Sequence, residues 1–166
     1  MEFSRRSLLA PLAAAVLLAT AGAPAQAAAS VEVKLWDKGA ASTMASDLGM
    51  ENPGADMSKA NMGMTLSQKS APAGTVTFAV TNDSKEIVHE MVVVRRPPPG
   101  KAMPYVDAEM KVNEDAAGHM GEVSELEPGK GGSVSITMKP GRYLLVCNIP
   151  GHYKAGMWAE FTVTVK

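Results

Sequence analysis

With a single cysteine, Cys147, in 166 residues, the chain can close no internal disulfide. Nor can it build a site that needs two thiolates, an all-cysteine zinc site included. Histidine is also scarce, at three residues, so an imidazole-rich centre would consume most of the supply. Basic charge is not in excess: 16 Lys and Arg stand against 17 Asp and Glu, a net charge of −1. That balance excludes the broad positive field of a nucleic-acid binder. No apolar run reaches the ~20 residues that span a bilayer, and there is neither an internal repeat nor a glycine-rich phosphate cradle. Methionine, at twelve residues, is abundant. A chain of this length is expected to form one domain with a core that needs no covalent staples.

The main apolar stretch, Leu8 to Ala21, is broken by Pro11, preceded by Arg5 and Arg6, and followed by Ala25-Gln26-Ala27. We read Met1 to Ala27 as an export signal. Ser4-Arg5-Arg6-Ser7-Leu8-Leu9 resembles a twin-arginine signal, an ordinary secretory signal being the alternative. No cysteine near the cleavage site offers a lipid anchor. Residues 28–166 are then expected as one nearly neutral domain, periplasmic or otherwise extracytoplasmic, without stable membrane insertion.

Within that domain the apolar pattern has a period of two. Val31, Val33 and Leu35 alternate with Glu32, Lys34 and Trp36, and Val76, Phe78 and Val80 repeat the pattern before an Asn82-Asp83-Ser84 turn. Ile87 to Val94 is continuously apolar apart from His89 and Glu90, as expected for a strand buried on both faces. Arg95 to Gly100, with three prolines, must leave the sheet. Gly39 to Asn61 reads as a loop or weak helical turn, and 101–126 as a long excursion with one helical turn. Pro-Gly turns then separate strands at Val134/Ile136/Met138, Tyr143 to Cys147 and Trp158 to Val165. Short strands without a long helix predict an all-β fold, an antiparallel Greek-key β-sandwich.

The chemistry concentrates in Cys147-Asn148-Ile149-Pro150-Gly151-His152-Tyr153-Lys154-Ala155-Gly156-Met157, a C-x4-H-x4-M segment between two predicted strands. A loop bent at Pro150-Gly151 and Gly156 can aim three side chains at one point. His89, inside a buried strand, supplies a fourth group. A thioether is a poor zinc ligand. Two imidazoles, one thiolate and a weak thioether are instead the blue-copper donor set, with soft sulfur for Cu(I) and imidazole for Cu(II). The bland alternative makes Cys147 a small hydrophobe, His89 a satisfied core histidine and Met157 core filler.

These residues resemble the cupredoxin (plastocyanin/azurin) superfamily, in particular its exported single-domain blue-copper members of the rusticyanin and sulfocyanin kind. The resemblance runs from about Val31 to Lys166 and includes Ile87-Val88-His89-Glu90-Met91 and Tyr143-Leu144-Leu145-Val146-Cys147. It implies a cupredoxin-like sandwich of about eight strands with one copper near one end. His89, Cys147 and His152 would be its equatorial ligands and Met157 the axial one. It further implies that His152, flanked by Pro150, Gly151 and Tyr153, passes the electron through an apolar surface patch. Plastocyanins and azurins usually carry Asn after the first ligand histidine, where it ties the two ligand segments together; this chain has Glu90.

The resulting expectation is a type 1 copper protein, a monomer and not an enzyme, carrying single electrons between larger redox proteins. The alternative is a copper carrier or resistance protein on the same fold. Its support is the cluster Met44, Met50, Met57, Met62 and Met64, with His119-Met120 as possible partners in a second, Cu(I)-loading site. Packing and an exposed loop histidine are the simpler readings of those residues. Arg95 and Arg96 read as solvated charges at a strand end.

Overall fold

The computed structural model describes residues 28–165, so the export signal expected over Met1 to Ala27 lies outside the described residues. In chain order the strands are β1 (Ala29–Asp37), β2 (Met62–Leu66), β3 (Ser70–Pro72), β4 (Gly74–Asn82), β5 (His89–Arg95), β6 (Tyr105–Val106) and β7 (Lys111–Val112). One helical turn, α1 (Glu114–Ala117), precedes β8 (Gly121–Leu126), β9 (Gly131–Met138), β10 (Gly141–Val146) and β11 (Trp158–Thr164). A four-stranded sheet of order β2-β1-β4-β9 faces a five-stranded sheet of order β3-β11-β10-β5-β8, and β6 pairs with β7 beside them. The architecture is the expected β-sandwich.

Alternation decides which side chains fill it. Val31, Val33 and Leu35 of β1, Val76, Phe78 and Val80 of β4, and Phe161 and Val163 of β11 all enter the space between the sheets. Phe78 and Phe161 meet edge to face, with ring centroids 5.2 Å apart and planes at 75°, a favoured aromatic geometry that joins one sheet to the other. A second apolar cluster lies on the other face of the five-stranded sheet. There Val92, Val94, Leu144 and Val146 are covered by Met103, Val112, Ala117 and Tyr153. With Met91 and Val93 in the first cluster and Val92 and Val94 in the second, β5 is buried on both faces, which accounts for its unbroken apolar run.

Three expectations need correction. The sandwich is mixed rather than purely antiparallel, because β1–β4 and β3–β11 run parallel. Both pairs join strands distant in the chain, where the connection is long enough to return in the same direction. The stretch 101–126 contains not only a helical turn but β8, an edge strand of the five-stranded sheet. Only Val123 and Leu126 of β8 are buried, and a register shift separates the pairs His89–Leu126 and Met91–Val123, so no period of two shows in its sequence. Arg96 is not simply solvated, since its Nε lies 2.8 Å from Glu160, which also binds Arg142 at 2.7 Å.

Candidate metal centre

The C-terminal end of β1, the first residue of β5 and the segment between β10 and β11 converge at one end of the sandwich. Cys147 follows β10 directly, and its N–H donates to the Met157 carbonyl at 3.0 Å, closing the base of the loop. Inside, the His152 N–H donates to Ile149 and the Met157 N–H to His152, both at 3.0 Å. Gly151 and Gly156 sit at φ of +82° and +97°, backbone that favours glycine. Both also face close neighbours: a Cβ on Gly151 would lie 2.8 Å from Met44 Cε, and one on Gly156 would lie 3.1 Å from Ala60 Cβ.

These neighbours belong to the segment from Lys38 to Asn61, which straps the loop from outside. Leu48 N–H donates to Lys154 O at 2.8 Å, and Trp158 Nε1 donates to Leu48 O at 2.7 Å. The buried Tyr153 hydroxyl accepts from Met50 N–H at 3.0 Å and donates to Glu51 at 2.7 Å. Burial and the Glu51 carboxylate both push the Tyr153 phenol upward. Tyr153 is therefore an anchor for the strap and not part of a surface patch.

His89, Cys147 and His152 are all buried, with their donor atoms within 4.8 Å of one another. His152 Nδ1 lies 3.3 Å from Cys147 Sγ and 3.3 Å from His89 Nδ1, which is 4.0 Å from the sulfur. Met157 is fully buried in the same apolar cluster as Cys147. Burial lowers both imidazoles, His152 to about 4 with the neighbouring His89 adding to the effect, so both rings are neutral and their lone pairs are free to ligate. Burial pushes the Cys147 thiol up to about 12, against backbone N–H donors from Glu90 and Ile149. Without a metal the sulfur keeps its proton, so a thiophilic cation is the partner that would make it a thiolate. Two neutral imidazoles and one thiol, with a buried thioether in the adjoining core, suit copper better than zinc or a hard cation.

Glu90 takes over the tie expected of the usual asparagine. Its N–H points at Cys147 Sγ at 3.5 Å, and its side chain bonds the backbone of Asn148. Burial, and then the negative Glu114, hold its carboxyl above the ordinary range.

One group was not among the expected site residues. His89 Nε2 lies 2.8 Å from Asp37 Oδ2, whose side chain is only 2% exposed. Burial alone would raise this carboxyl, but hydrogen bonds from Ser84, His89 and Gly39 outweigh it and hold it below the usual range. Strand parity carries the signal that could have revealed it: Asp37 continues the inward series Val31, Val33, Leu35, and a carboxylate at a core position requires a partner.

The other candidate donors differ in their surroundings. Met62 is buried in the core, Met64 packs against it, and Met50 packs on the second cluster. Met44 and Met57 remain exposed. His119 lies 3.5 Å from Glu122 and 3.8 Å from Glu114, so its near partners are carboxylates and not thioethers.

Residues 64–166 match the family model of the sulfocyanin (SoxE) domain. Auracyanin-B of Chloroflexus aurantiacus is 52% identical over 40 residues, which are 24% of this chain and 17% of that protein; the match thus spans about a sixth of that relative's length. Among solved structures, rusticyanin from Thiobacillus ferrooxidans superposes with a TM-score of 0.53 at 18% identity, covering 86% of this chain and 79% of the other. Auracyanin B superposes with a TM-score of 0.50 at 26% identity, covering 81% and 88%. With the convergent His89, Cys147 and His152 on this sandwich, the match over most of the domain places the chain in the sulfocyanin (SoxE) domain family, among the cupredoxin-fold blue copper proteins, which bind one copper ion.

Proposed function

We propose that this protein carries single electrons between larger redox proteins outside the cytoplasm and is not an enzyme. His89, Cys147 and His152 would hold copper, with Met157 as the weak axial ligand. When bound, copper supplies a one-electron Cu(I)/Cu(II) couple. The observation that carries this reading is the convergence of three buried donor atoms within 4.8 Å on backbone that is already hydrogen-bonded. Donors held this way need not move between oxidation states, which is what a carrier requires.

An electron would leave through His152, the least covered of the three metal-binding side chains at 7% exposure. Exposed Pro150 stands beside it, and Met44 and Met110 line a hollow with Gly151. The apolar docking face is thus assigned to these residues, with Tyr153 behind it. The segment Met1 to Ala27, read as an export signal, would carry it there. Among the described residues no helix is long and apolar enough to cross a membrane.

Adding Cu(II) to the purified domain should produce an intense visible thiolate-to-copper band, and Cys147→Ser should abolish it. A protein that binds copper without colour would overturn the carrier reading.

A further inference from the structure

We propose that Asp37 is a positioning residue of the metal centre: its carboxylate holds His89 with Nδ1 toward the metal, and its charge favours the oxidised ion over the reduced one. The inference rests on reading His89 as a ligand. Asp37 lies outside the segment matched by the family model, which begins at residue 64, so the matched segment does not contain it.

The geometry is specific. Oδ2 accepts from His89 Nε2 at 2.8 Å, Oδ1 accepts from Gly39 N–H at 2.6 Å, and the Ser84 hydroxyl donates a further bond. With Nε2 donating, the proton of the neutral ring is on Nε2 and the Nδ1 lone pair faces Cys147 and His152. Ser84 is itself braced. Its oxygen accepts from Ile87 N–H at 2.9 Å and Glu86 N–H at 3.2 Å, which leaves its proton for Asp37. Its N–H donates to Asn82 Oδ1 at 3.0 Å, and Asn82 Nδ2 reaches Leu126 O at 2.7 Å. Leu126 pairs with His89 across β5 and β8. The chain Asn82–Ser84–Asp37–His89 therefore closes on itself and leaves the imidazole one orientation.

Charge supplies the second half. An imidazole that ligates through Nδ1 and keeps its proton on Nε2 is neutral, and the charges of Glu90 and Lys111, which both act on Cys147, oppose each other. The Cys147 thiolate and the Asp37 carboxylate then cancel a doubly charged copper and leave one uncompensated negative charge beside a singly charged one. In a site closed to water that imbalance is costly, so Asp37 biases the couple toward Cu(II).

The test uses the full mature chain, first without metal and then loaded with copper. In the copper-free wild type, nitrogen-15 NMR should find the His89 proton on Nε2. Asp37→Asn keeps the shape and removes the charge. It should keep the visible band while shifting the ratio of Cu(II) to Cu(I) affinity at least tenfold toward Cu(I), about 59 mV upward for a one-electron couple. Asp37→Ala should additionally mix the two His89 tautomers. A wild-type His89 protonated on Nδ1, or an Asp37→Asn potential equal to wild type, would overturn the proposal. The tautomer needs neither a variant nor copper, so it stands if a variant fails to fold. It also separates failure of this inference from failure of the copper reading, which the Cys147→Ser spectrum decides.

Discussion

At the residue scale, each donor carries its own electrostatic requirement, and the surrounding side chains meet it differently. His89 and His152 are kept neutral by burial, and Cys147 is kept protonated by the same burial, so the pocket is poised for a cation that can displace a thiol proton. Glu90 shows the cost of closing such a pocket. Its carboxyl is raised by burial and by Glu114, so folding favours the protonated form. That contribution is present below the ordinary carboxyl range and is lost as pH rises through the raised value. Glu90→Gln keeps the reach to Asn148 and removes the penalty. In copper-free protein, urea unfolding should therefore find the variant more stable than wild type at pH 7, and the difference should shrink toward pH 4. An equal difference at both pH values would contradict this. Cys147, His152 and Met157 were legible because their spacing sits in one short loop, and His89 because an imidazole interrupts an apolar run. Strand parity places Asp37 inside, but its partner is not legible, because His89 is 52 residues away and no local spacing links the two.

At the scale of elements, the strap from Lys38 to Asn61 and the metal loop act as one unit. Its sequence has no period, because it is held by backbone hydrogen bonds and by Tyr153 and Trp158 rather than by an apolar stripe. This explains why it reads as a loop. In the fold Met57 Cε would lie only 3.3 Å from a Cβ on Gly156, with Leu48 as close and Ala60 closer, at 3.1 Å. Gly156→Ala should therefore cost about 1–3 kcal/mol, from a left-handed backbone and a displaced strap. Gly100→Ala is the control, since Gly100 also has positive φ but meets nothing within 4 Å. Thermal unfolding should show the larger loss at Gly156, and equal losses would mean that the strap does not press on the loop. The strands at Val31, Val76, Val134 and Trp158 are legible from alternation, and the one at Tyr143 from its apolar run after a Pro-Gly turn. β8 and β3 were not, because an edge strand with few buried side chains, or one ending in proline, lacks the pattern.

At the scale of the molecule, the two sheets form a frame that the metal end does not have to build for itself. The Phe78–Phe161 contact and the apolar layer between the sheets set the positions of β1, β5, β10 and β11; Asp37, His89, Cys147 and Met157 lie at or beside their ends, and His152 lies on the loop between the last two. Parallel pairing of β1 with β4 brings Asp37 of one strand near Ser84, just beyond the other, so the brace of His89 is a consequence of topology. A net charge of −1 supplies no long-range steering toward a strongly charged partner. On the proposed function, this frame holds one copper ion in an unchanged set of donors while an electron comes and goes. Voltammetry of the copper-loaded protein should therefore show one reversible one-electron wave with one copper per chain. An irreversible wave, or copper released on reduction, would contradict it.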